Sequence, residues 1–220
     1  MRAGEQTSRG AGAVRLHAGL GGRIHAWVLA NLGHRYERMV ADRKRRLLTG
    51  LGDSVLEIGP GTGPNLRYYA SGIHWLGVEP NPYMVPHLKA AAEQAGLEVD
   101  IRSGAAEQLP AGDDSIDTVV STLVLCSVDD PETVLREVYR VLKPGGRFLF
   151  LEHVAAPPGT FLRRVQSFIR PVWKRIGDGC HPDRDTGPAI QRAGFTEVTY
   201  ESFRLPLGPV APQIIGIAVK

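Results

Sequence analysis

Strand-like and helix-like runs alternate along the chain from residue 54 onward, and this alternation restricts the possible folds more than any other feature. Short apolar runs typical of strands cover Ser54–Ile58, Trp75–Glu79, Glu98–Arg102, Ile116–Ser121 and Arg147–His153. Helix-like stretches lie at Pro64–Ala70, Pro82–Ala95, Pro131–Leu142 and Arg184–Ala193. Strands joined by helices of this length form right-handed βαβ units. We therefore predict an α/β fold on a mostly parallel sheet.

The end of the chain departs from this alternation. The last two strand-like runs, Phe195–Phe203 and Ile214–Val219, are joined by a loop rich in Pro and Gly, with no helix between them. Such a connection is typical of antiparallel strands. The sequence thus predicts seven strands, mostly parallel, with an antiparallel last strand and helices on both faces of the sheet.

The residues before the first strand form a separate part of the predicted organisation. Residues 1–15 have no apolar periodicity and are predicted to be a disordered basic tail. Residues 16–48 carry apolar side chains at helical spacing, interrupted by Gly33, and are predicted to form an N-terminal helical cap. Residues 49–220 would form one ligand-binding domain, in which residues 157–182 have no assigned element and are a candidate cover over the site.

A glycine-rich loop, Gly59-Pro60-Gly61-Thr62-Gly63, follows the first predicted strand and precedes a helix-like stretch. Glycine lets a backbone turn sharply and approach a ligand where a Cβ would collide. An acid, Glu79, ends the second predicted strand, 22 residues after Glu57. In α/β nucleotide-binding folds, an acid at this place holds ribose hydroxyls. These features together predict a nucleoside site.

The details of the loop discriminate among nucleosides. The loop is not the G-x-G-x-x-G of dinucleotide sites, and the chain has no G-x-x-x-x-G-K-[ST] motif of ATP or GTP sites. Glu57, two residues before the first glycine, would repel phosphates and attract an ammonium group. A cationic nucleoside with an amino acid tail meets these requirements, and S-adenosylmethionine (SAM) is such a compound.

Several motifs resemble those of class I SAM-dependent methyltransferases. Residues 57–63 resemble the first motif of that family, 77–81 the second, and 106–110 with 117–120 the adenine loop and fourth strand. Residues 142–146 resemble a turn of the ubiquinone/menaquinone-type subgroup. A narrower likeness, to the methyltransferase-like group that includes animal thiol S-methyltransferases, is found at residues 81–82, 121–128, 152–154 and 176–180. The resemblance covers about Arg46 to Lys220 and implies a Rossmann-like methyltransferase fold.

The resemblance also implies a set of SAM contacts. Glu57 would lie near the ammonium group, and Glu79 would accept hydrogen bonds from the ribose hydroxyls. The other implied SAM-binding residues are Gly59, Pro60, Gly61, Gly63, Asn65, Pro80, Asn81, Met84, Ala106, Glu107, Thr122 and Leu123. Many relatives carry an aspartate where this chain has Ala105, so backbone groups or Glu107 would hold the adenine here.

The chemistry of methyl transfer requires little from side chains beyond holding the nucleophile about 3–3.5 Å from the methyl carbon. A base helps only where the acceptor must lose a proton, which is easier for a thiol of pKa about 8.5 than for a phenol near 10. His153, at the end of the fifth predicted strand, is the candidate catalytic base; alternatively, it orients Glu152 or caps a loop.

No metal is expected from the spacing of candidate ligands. Asp178, Cys180 and His181 lie close together in the sequence, but the chain has no C-x-x-C or H-x-x-x-H pattern. Cys126 is interpreted as a small, packed apolar residue.

Charge is unevenly distributed along the chain. Residues 1–46 carry ten basic and three acidic side chains, a net charge of +7, and the remaining 174 residues carry 16 basic and 20 acidic, a net charge of −4. A basic arm can bind nucleic acid through phosphates. Aromatic residues are sparse there, however, and the basic cluster at residues 43–46 suits the end of a helix. A solvated lid is therefore favoured, and no nucleic-acid partner is expected.

Two cysteines and the lack of an apolar run of about 20 residues predict a cytoplasmic protein without a disulfide framework or a membrane span. We expect a monomer or homodimer acting on a small molecule, as in secondary metabolite biosynthesis. The leading hypothesis is SAM-dependent methyl transfer to a thiol or hydroxyl by in-line displacement. The alternatives are a C-methyltransferase of a quinone- or polyketide-like metabolite, and a protein of the same fold that catalyses a cyclisation or rearrangement.

Overall fold

A single sheet of seven strands organises the structure, a computed structural model that describes residues 19–220. The strands are β1 Ser54–Ile58, β2 His74–Val78, β3 Val99–Arg102, β4 Ile116–Thr122, β5 Leu142–His153, β6 Glu197–Arg204 and β7 Pro212–Val219. They lie in the order β3-β2-β1-β4-β5-β7-β6. The predicted tail, residues 1–15, lies outside the described residues.

The pairing of the strands confirms the predicted sheet. Strands β1 to β5 pair in parallel, and β7 runs antiparallel to both of its neighbours, β5 and β6. The order reverses between β1, which continues towards β2 and β3, and β4, which continues towards β5. In open α/β sheets, such a switch point opens a crevice at the carboxyl ends of the strands.

Helices cover both faces of the sheet. They are α1 Leu20–Leu32, α2 His34–Leu47, α3 Val85–Ala95, α4 Pro131–Val141, α5 Phe161–Ile176 and α6 Thr186–Gln191. Successive residues of β5 point to opposite faces, so that Phe148 and Phe150 pack in one core with α4 and α6. Leu149 and Leu151 pack in a second core with α2 and α3. The sheet is thus buried on both sides, as a parallel sheet requires.

Local sequence signals explain several helix boundaries. Asp130 precedes α4, and its carboxylate accepts hydrogen bonds from the backbone N–H groups of Glu132 and Thr133, while Pro131 occupies the first turn. Helix α3 ends at Gly96, which has a φ of 65° that favours glycine. The break predicted at Gly33 separates α1 from α2.

Two parts of the chain differ from the predictions. Pro64–Ala70 forms a single 3₁₀ turn, Leu66–Tyr68, instead of a helix, because Asn65 and Tyr69 turn inward to donate hydrogen bonds to the buried Glu57. The unassigned residues 157–182 contain the 16-residue helix α5, capped by the hydroxyl of Thr160. Within residues 19–220, no helix combines the length and apolar character needed to cross a membrane.

The first prediction concerns the core. Phe148→Ala is expected to lower the free energy of unfolding by about 3–5 kcal/mol, because the ring is fully buried between α4 and α6 and its loss leaves a cavity. Phe168→Ala is the matched control, because Phe168 is 86% exposed on α5 and its loss should change stability by less than about 0.5 kcal/mol. Urea unfolding of both variants checks this, and equal losses would contradict the packing described.

Candidate functional site

A cavity of about 1820 Å³ opens at the carboxyl ends of β1, β2, β4 and β5. It lies at the switch point of the sheet, where ligands bind in folds of this type. Ligand pockets usually measure about 300–1,000 Å³. The cavity therefore has room for a nucleoside and a second molecule side by side.

The glycine loop after β1 forms one wall of the cavity. Gly59, Gly61 and Gly63 all have positive φ, at 57°, 57° and 79°. A Cβ on Gly59 would lie 2.8 Å from the side chain of Val124, whereas the space beside Gly61 is open. The loop therefore needs glycine for its backbone conformation, and at Gly61 its backbone can approach a ligand closely.

Glu79 joins the ends of β1 and β2. One carboxylate oxygen accepts a hydrogen bond from the Gly61 N–H at 2.9 Å, and the other accepts one from the Asn81 N–H at 2.8 Å. The side chain is 5% exposed and lines the cavity. A buried carboxylate held in place by two backbone donors presents a fixed acceptor to a ligand hydroxyl.

Glu57 lies directly behind the glycine loop. Its carboxylate accepts hydrogen bonds from Asn65 at 2.7 Å, Tyr69 at 2.7 Å and Trp75 at 3.2 Å, and its side chain is 1% exposed. The described residues that line the cavity include neither Glu57 nor Asn65. Glu57 therefore anchors Asn65, Tyr69 and Trp75 behind the glycine loop, and its contact with an ammonium group stays a prediction. Burial raises the pKa of Glu57, and the three donors oppose this shift.

Lys44 is a cavity residue that the sequence analysis missed. The sequence predicts a solvated basic cluster at residues 43–46, which includes Lys44. In the structure, however, the Lys44 side chain is 1% exposed, and its Nζ lies 2.8 Å from the carboxylate of Glu37. Burial lowers the pKa of Lys44, and Glu37 opposes that shift. A signal did exist, because Lys44 lies on the same helical stripe as the buried residues Val40 and Leu47.

The turn after β4 is shaped by a buried carboxylate. Glu152 Oε1 accepts hydrogen bonds from the Ser121 hydroxyl and from the N–H groups of Val124 and Leu125, at 2.8–3.2 Å. Leu123, within this turn, has a φ of 60°. Glu152 therefore holds a strained turn whose residues Thr122 and Leu123 line the cavity.

Beside this turn, the cavity wall contains a cluster of two thiols and an imidazole. His153 Nε2 lies 2.9 Å from the sulfur of Cys180, to which the Trp173 indole N–H also donates a hydrogen bond at 3.2 Å. Cys126 joins them, and the ligand atoms of Cys126, His153 and Cys180 all lie within 4.8 Å of one another. We refer to these three residues as the Cys-His-Cys cluster.

The two thiols of the cluster ionise differently. A hydrogen bond from Cys126 lowers the pKa of Cys180; burial opposes this effect, and His153 and Trp173 reinforce it. The pKa of Cys126 is raised, first by the same hydrogen bond and then by burial. Cys180 is therefore the thiol of this pair that ionises first.

Helices α1 and α5 contribute residues to the wall of the cavity, and we refer to these two helices as the lid. His25 of α1 lies 2.8 Å from the carboxylate of Asp178, which follows α5. The Asn81 side chain donates a hydrogen bond to the Gly22 carbonyl at 3.1 Å. The apolar lid side chains that line the cavity are Ile24, Val28, Leu29, Trp173 and Ile176, and all of them except Trp173 are exposed. The polar residues His25, Lys174 and Arg175 of these helices line it as well.

The structure brings most of the predicted site residues together. The predicted residues that line the cavity are Gly59, Pro60, Gly61, Gly63, Glu79, Pro80, Asn81, Met84, Ala106, Glu107, Thr122, Leu123 and His153. Glu57 and Asn65 lie behind this wall. Cys126 and Cys180, which were not predicted to act in the site, also line it.

Comparison with known proteins agrees with this arrangement. The family model described as "Methyltransferase domain" matches residues 56–150, from β1 to β5. Thiol S-methyltransferase TMT1B of Rattus norvegicus is 40% identical over 207 residues, covering 88% of this chain and 85% of the relative. The ubiquinone/menaquinone biosynthesis C-methyltransferase UbiE of Enterobacter sp. (strain 638) is 31% identical over 198 residues, covering 82% of this chain and 67% of the relative.

A solved structure shares the fold at lower sequence identity. The crystal structure of the [4+2]-cyclase SpnF superposes with a TM-score of 0.66 at 22% identity, covering 83% of this chain and 81% of that chain. At this identity the likeness shows the fold alone.

Proposed function

The chain belongs to the class I SAM-dependent methyltransferases, and we propose that within this family it methylates the sulfur of a small, largely apolar thiol. The family assignment establishes the enzyme class and SAM as the methyl donor. The observation that carries the proposed acceptor is the Cys-His-Cys cluster, which lines the same cavity as the glycine loop. Relatives named thiol S-methyltransferases support the same choice.

The cavity residues fit SAM. The open space beside Gly61 would admit the cofactor backbone, and Glu79, fixed by two N–H groups, would accept hydrogen bonds from the ribose hydroxyls. Met84 and Ala106, both buried and apolar, would lie against the adenine. SAM supplies an electrophilic methyl group on a sulfonium. Glu57 acts behind this wall by holding Asn65, whose side chain also donates a hydrogen bond to the Thr122 hydroxyl.

The acceptor half of the cavity favours an apolar thiol. The lid side chains Ile24, Val28 and Leu29 of α1 line it and are 53%, 37% and 39% exposed, so an apolar acceptor that packs against them would remove apolar surface from water. His153, 4% exposed at the end of β5, would take the proton from the acceptor thiol. Cys180, beside His153 Nε2, would stabilise the imidazolium that results. The thiolate sulfur then attacks the methyl carbon, and the products are a thioether and S-adenosylhomocysteine.

An acceptor panel tests the proposal. The purified protein is incubated with methyl-labelled SAM and with matched pairs of compounds, such as an alkyl thiol and its alcohol, or an aryl thiol and its phenol. We expect at least about 100-fold higher kcat/KM for each thiol than for its oxygen partner, since the weaker acid keeps its proton. Mass spectrometry of the products locates the methyl group on sulfur.

Two results would contradict thiol methylation. Labelling of the alcohol or of a ring carbon at rates equal to those for the thiols would assign the enzyme to O- or C-methylation. Conversion of a substrate without gain of a methyl group would identify a cyclisation or rearrangement. Binding of S-adenosylhomocysteine, measured by titration calorimetry on the same sample, confirms in each case that the protein is folded and its cofactor site intact.

A further inference from the structure

We propose that the Cys-His-Cys cluster is a binding site for Zn²⁺, with Cys126 Sγ, His153 Nε2 and Cys180 Sγ as ligands and a fourth position open to the cavity. The proposal concerns the acceptor half of the site and rests on the proposed function only for what occupies the fourth position. Among the residues that the structure describes, this is the one group of three potential ligands brought close enough to hold a metal ion.

The geometry requires only small movements to close around an ion. The three ligand atoms lie within 4.8 Å of one another. Tetrahedral zinc with Zn–S distances of about 2.3 Å places two sulfur ligands about 3.8 Å apart. The His153–Cys180 contact of 2.9 Å would open slightly as both atoms turn towards the ion. Cys126, His153 and Cys180 are 2%, 4% and 8% exposed, so Cys180 is the most accessible of the three.

The donor set selects the metal. Two thiolates and one imidazole form a soft ligand set that suits zinc and does not suit Mg²⁺ or Ca²⁺, which prefer oxygen ligands. Catalytic zinc sites have three protein ligands and keep one position free, whereas structural sites use four protein ligands. Because all three cluster residues line the cavity, a free position on the ion would be open to the cavity.

A metal at this place would change how an acceptor thiol is activated. The thiol would bind the ion as a thiolate and release its proton to water, so His153 would act as a ligand instead of a base. The sulfur keeps an electron pair, which forms the new S–C bond while the bond between the sulfonium sulfur and the methyl carbon breaks. The protein contributes the ligand set and the apolar lid.

Metal binding is tested directly, without reference to activity. The protein is stripped with a chelator, loaded with Zn²⁺ or Co²⁺, gel-filtered, and analysed for bound metal. We expect one equivalent per chain, sulfur-to-cobalt charge-transfer absorption for the Co²⁺ form, and a zinc X-ray absorption spectrum with two sulfurs near 2.3 Å and a nitrogen near 2.0 Å. His153→Gln and Cys180→Ser should each weaken Zn²⁺ affinity by at least about 100-fold.

The control is His181→Gln, which changes a histidine next to Cys180 that is not part of the cluster and should leave metal affinity unchanged. The proposal is overturned if wild-type protein retains no metal, or if its zinc has only oxygen and nitrogen neighbours. Both tests use wild-type protein and do not depend on a variant that folds. Thiol methylation at equal rates by metal-free and zinc-loaded protein would exclude a part for the ion in thiol activation and leave the proposed function standing. Zinc binding without thiol methylation would support the zinc site and contradict the proposed function.

Discussion

Glu79→Ala is expected to weaken SAM binding by at least about 100-fold. A hydrogen bond to a charged group contributes about 1.5–3 kcal/mol, and Glu79 would accept one from each ribose hydroxyl. The change also removes the acceptor of the Gly61 and Asn81 N–H groups, so the glycine loop and the turn after β2 lose their common anchor. Removal of this one carboxylate therefore eliminates a direct contact with the ligand and also loosens the backbone that forms the binding site.

Titration calorimetry with SAM and with S-adenosylhomocysteine measures this effect. A thermal melt supplies a second readout, because ligand at 100 times its wild-type Kd stabilises the wild type by about 2.7 kcal/mol and should stabilise Glu79→Ala by no more than about 0.4 kcal/mol. Glu98→Ala is the matched control, because Glu98 is an exposed acid just before β3. A variant that melts like the wild type without ligand and still binds SAM with similar affinity would exclude Glu79 as a cofactor contact.

The central part of the fold could be predicted because its signals are local. The bounds of β1 agree with the prediction residue for residue, since a short apolar run ends at a glycine loop. The antiparallel β7 followed from the absence of a helix before it. The turn at Leu66–Tyr68 could not be predicted, because Asn65 and Tyr69 leave a regular helical path for a buried acid, Glu57, that is distant in the sequence.

The glycine-loop wall of the cavity was predictable for the same reason, and the Cys-His-Cys cluster was not. The glycine loop follows β1, and Glu79 follows β2. Because these two strands are parallel, their carboxyl ends lie at the same edge of the sheet. Cys126, His153 and Cys180 come from three segments, the turn after β4, the end of β5 and the turn after α5. Residues from three separate segments have no fixed spacing in the sequence. A search for metal-ligand patterns such as C-x-x-C therefore could not identify them. Only the three-dimensional arrangement brings their side chains together.

Lys44 shows a different limit. In sequence it lies within a run of four basic residues, which is usually solvated, and only the stripe of Val40, Lys44 and Leu47 distinguishes it. Its burial is offset by Glu37, whose carboxylate accepts two hydrogen bonds from Nζ at 2.8 and 3.0 Å. A buried charge is tolerated only with such a partner. The pairing of Lys44 with Glu37 becomes apparent only in the three-dimensional structure, in which both residues of α2 line the cavity.

His153→Gln is expected to lower kcat/KM for an alkyl thiol by about 100–10,000-fold at neutral pH, the usual range for a lost acid–base group. The affinity for S-adenosylhomocysteine should change by less than about threefold, because His153 lies on β5 next to Cys180 and is not among the residues proposed to hold the cofactor. His181→Gln, which changes the neighbouring half-buried histidine, should keep wild-type activity. Initial rates with radiolabelled SAM measure all three proteins.

The dependence of this loss on pH separates activation of the thiol from a purely structural role. As the pH rises through the acceptor's own pKa, about 8.5 for a thiol as acidic as that of cysteine, thiolate forms without help from the protein. The gap between wild type and His153→Gln should therefore narrow with increasing pH, and it should be smaller throughout for a more acidic aryl thiol. A structural defect would reduce turnover of both acceptors equally at every pH. A constant gap would therefore remove His153 from thiol activation, whether as base or as metal ligand, and leave it the role of orienting the turn around Glu152.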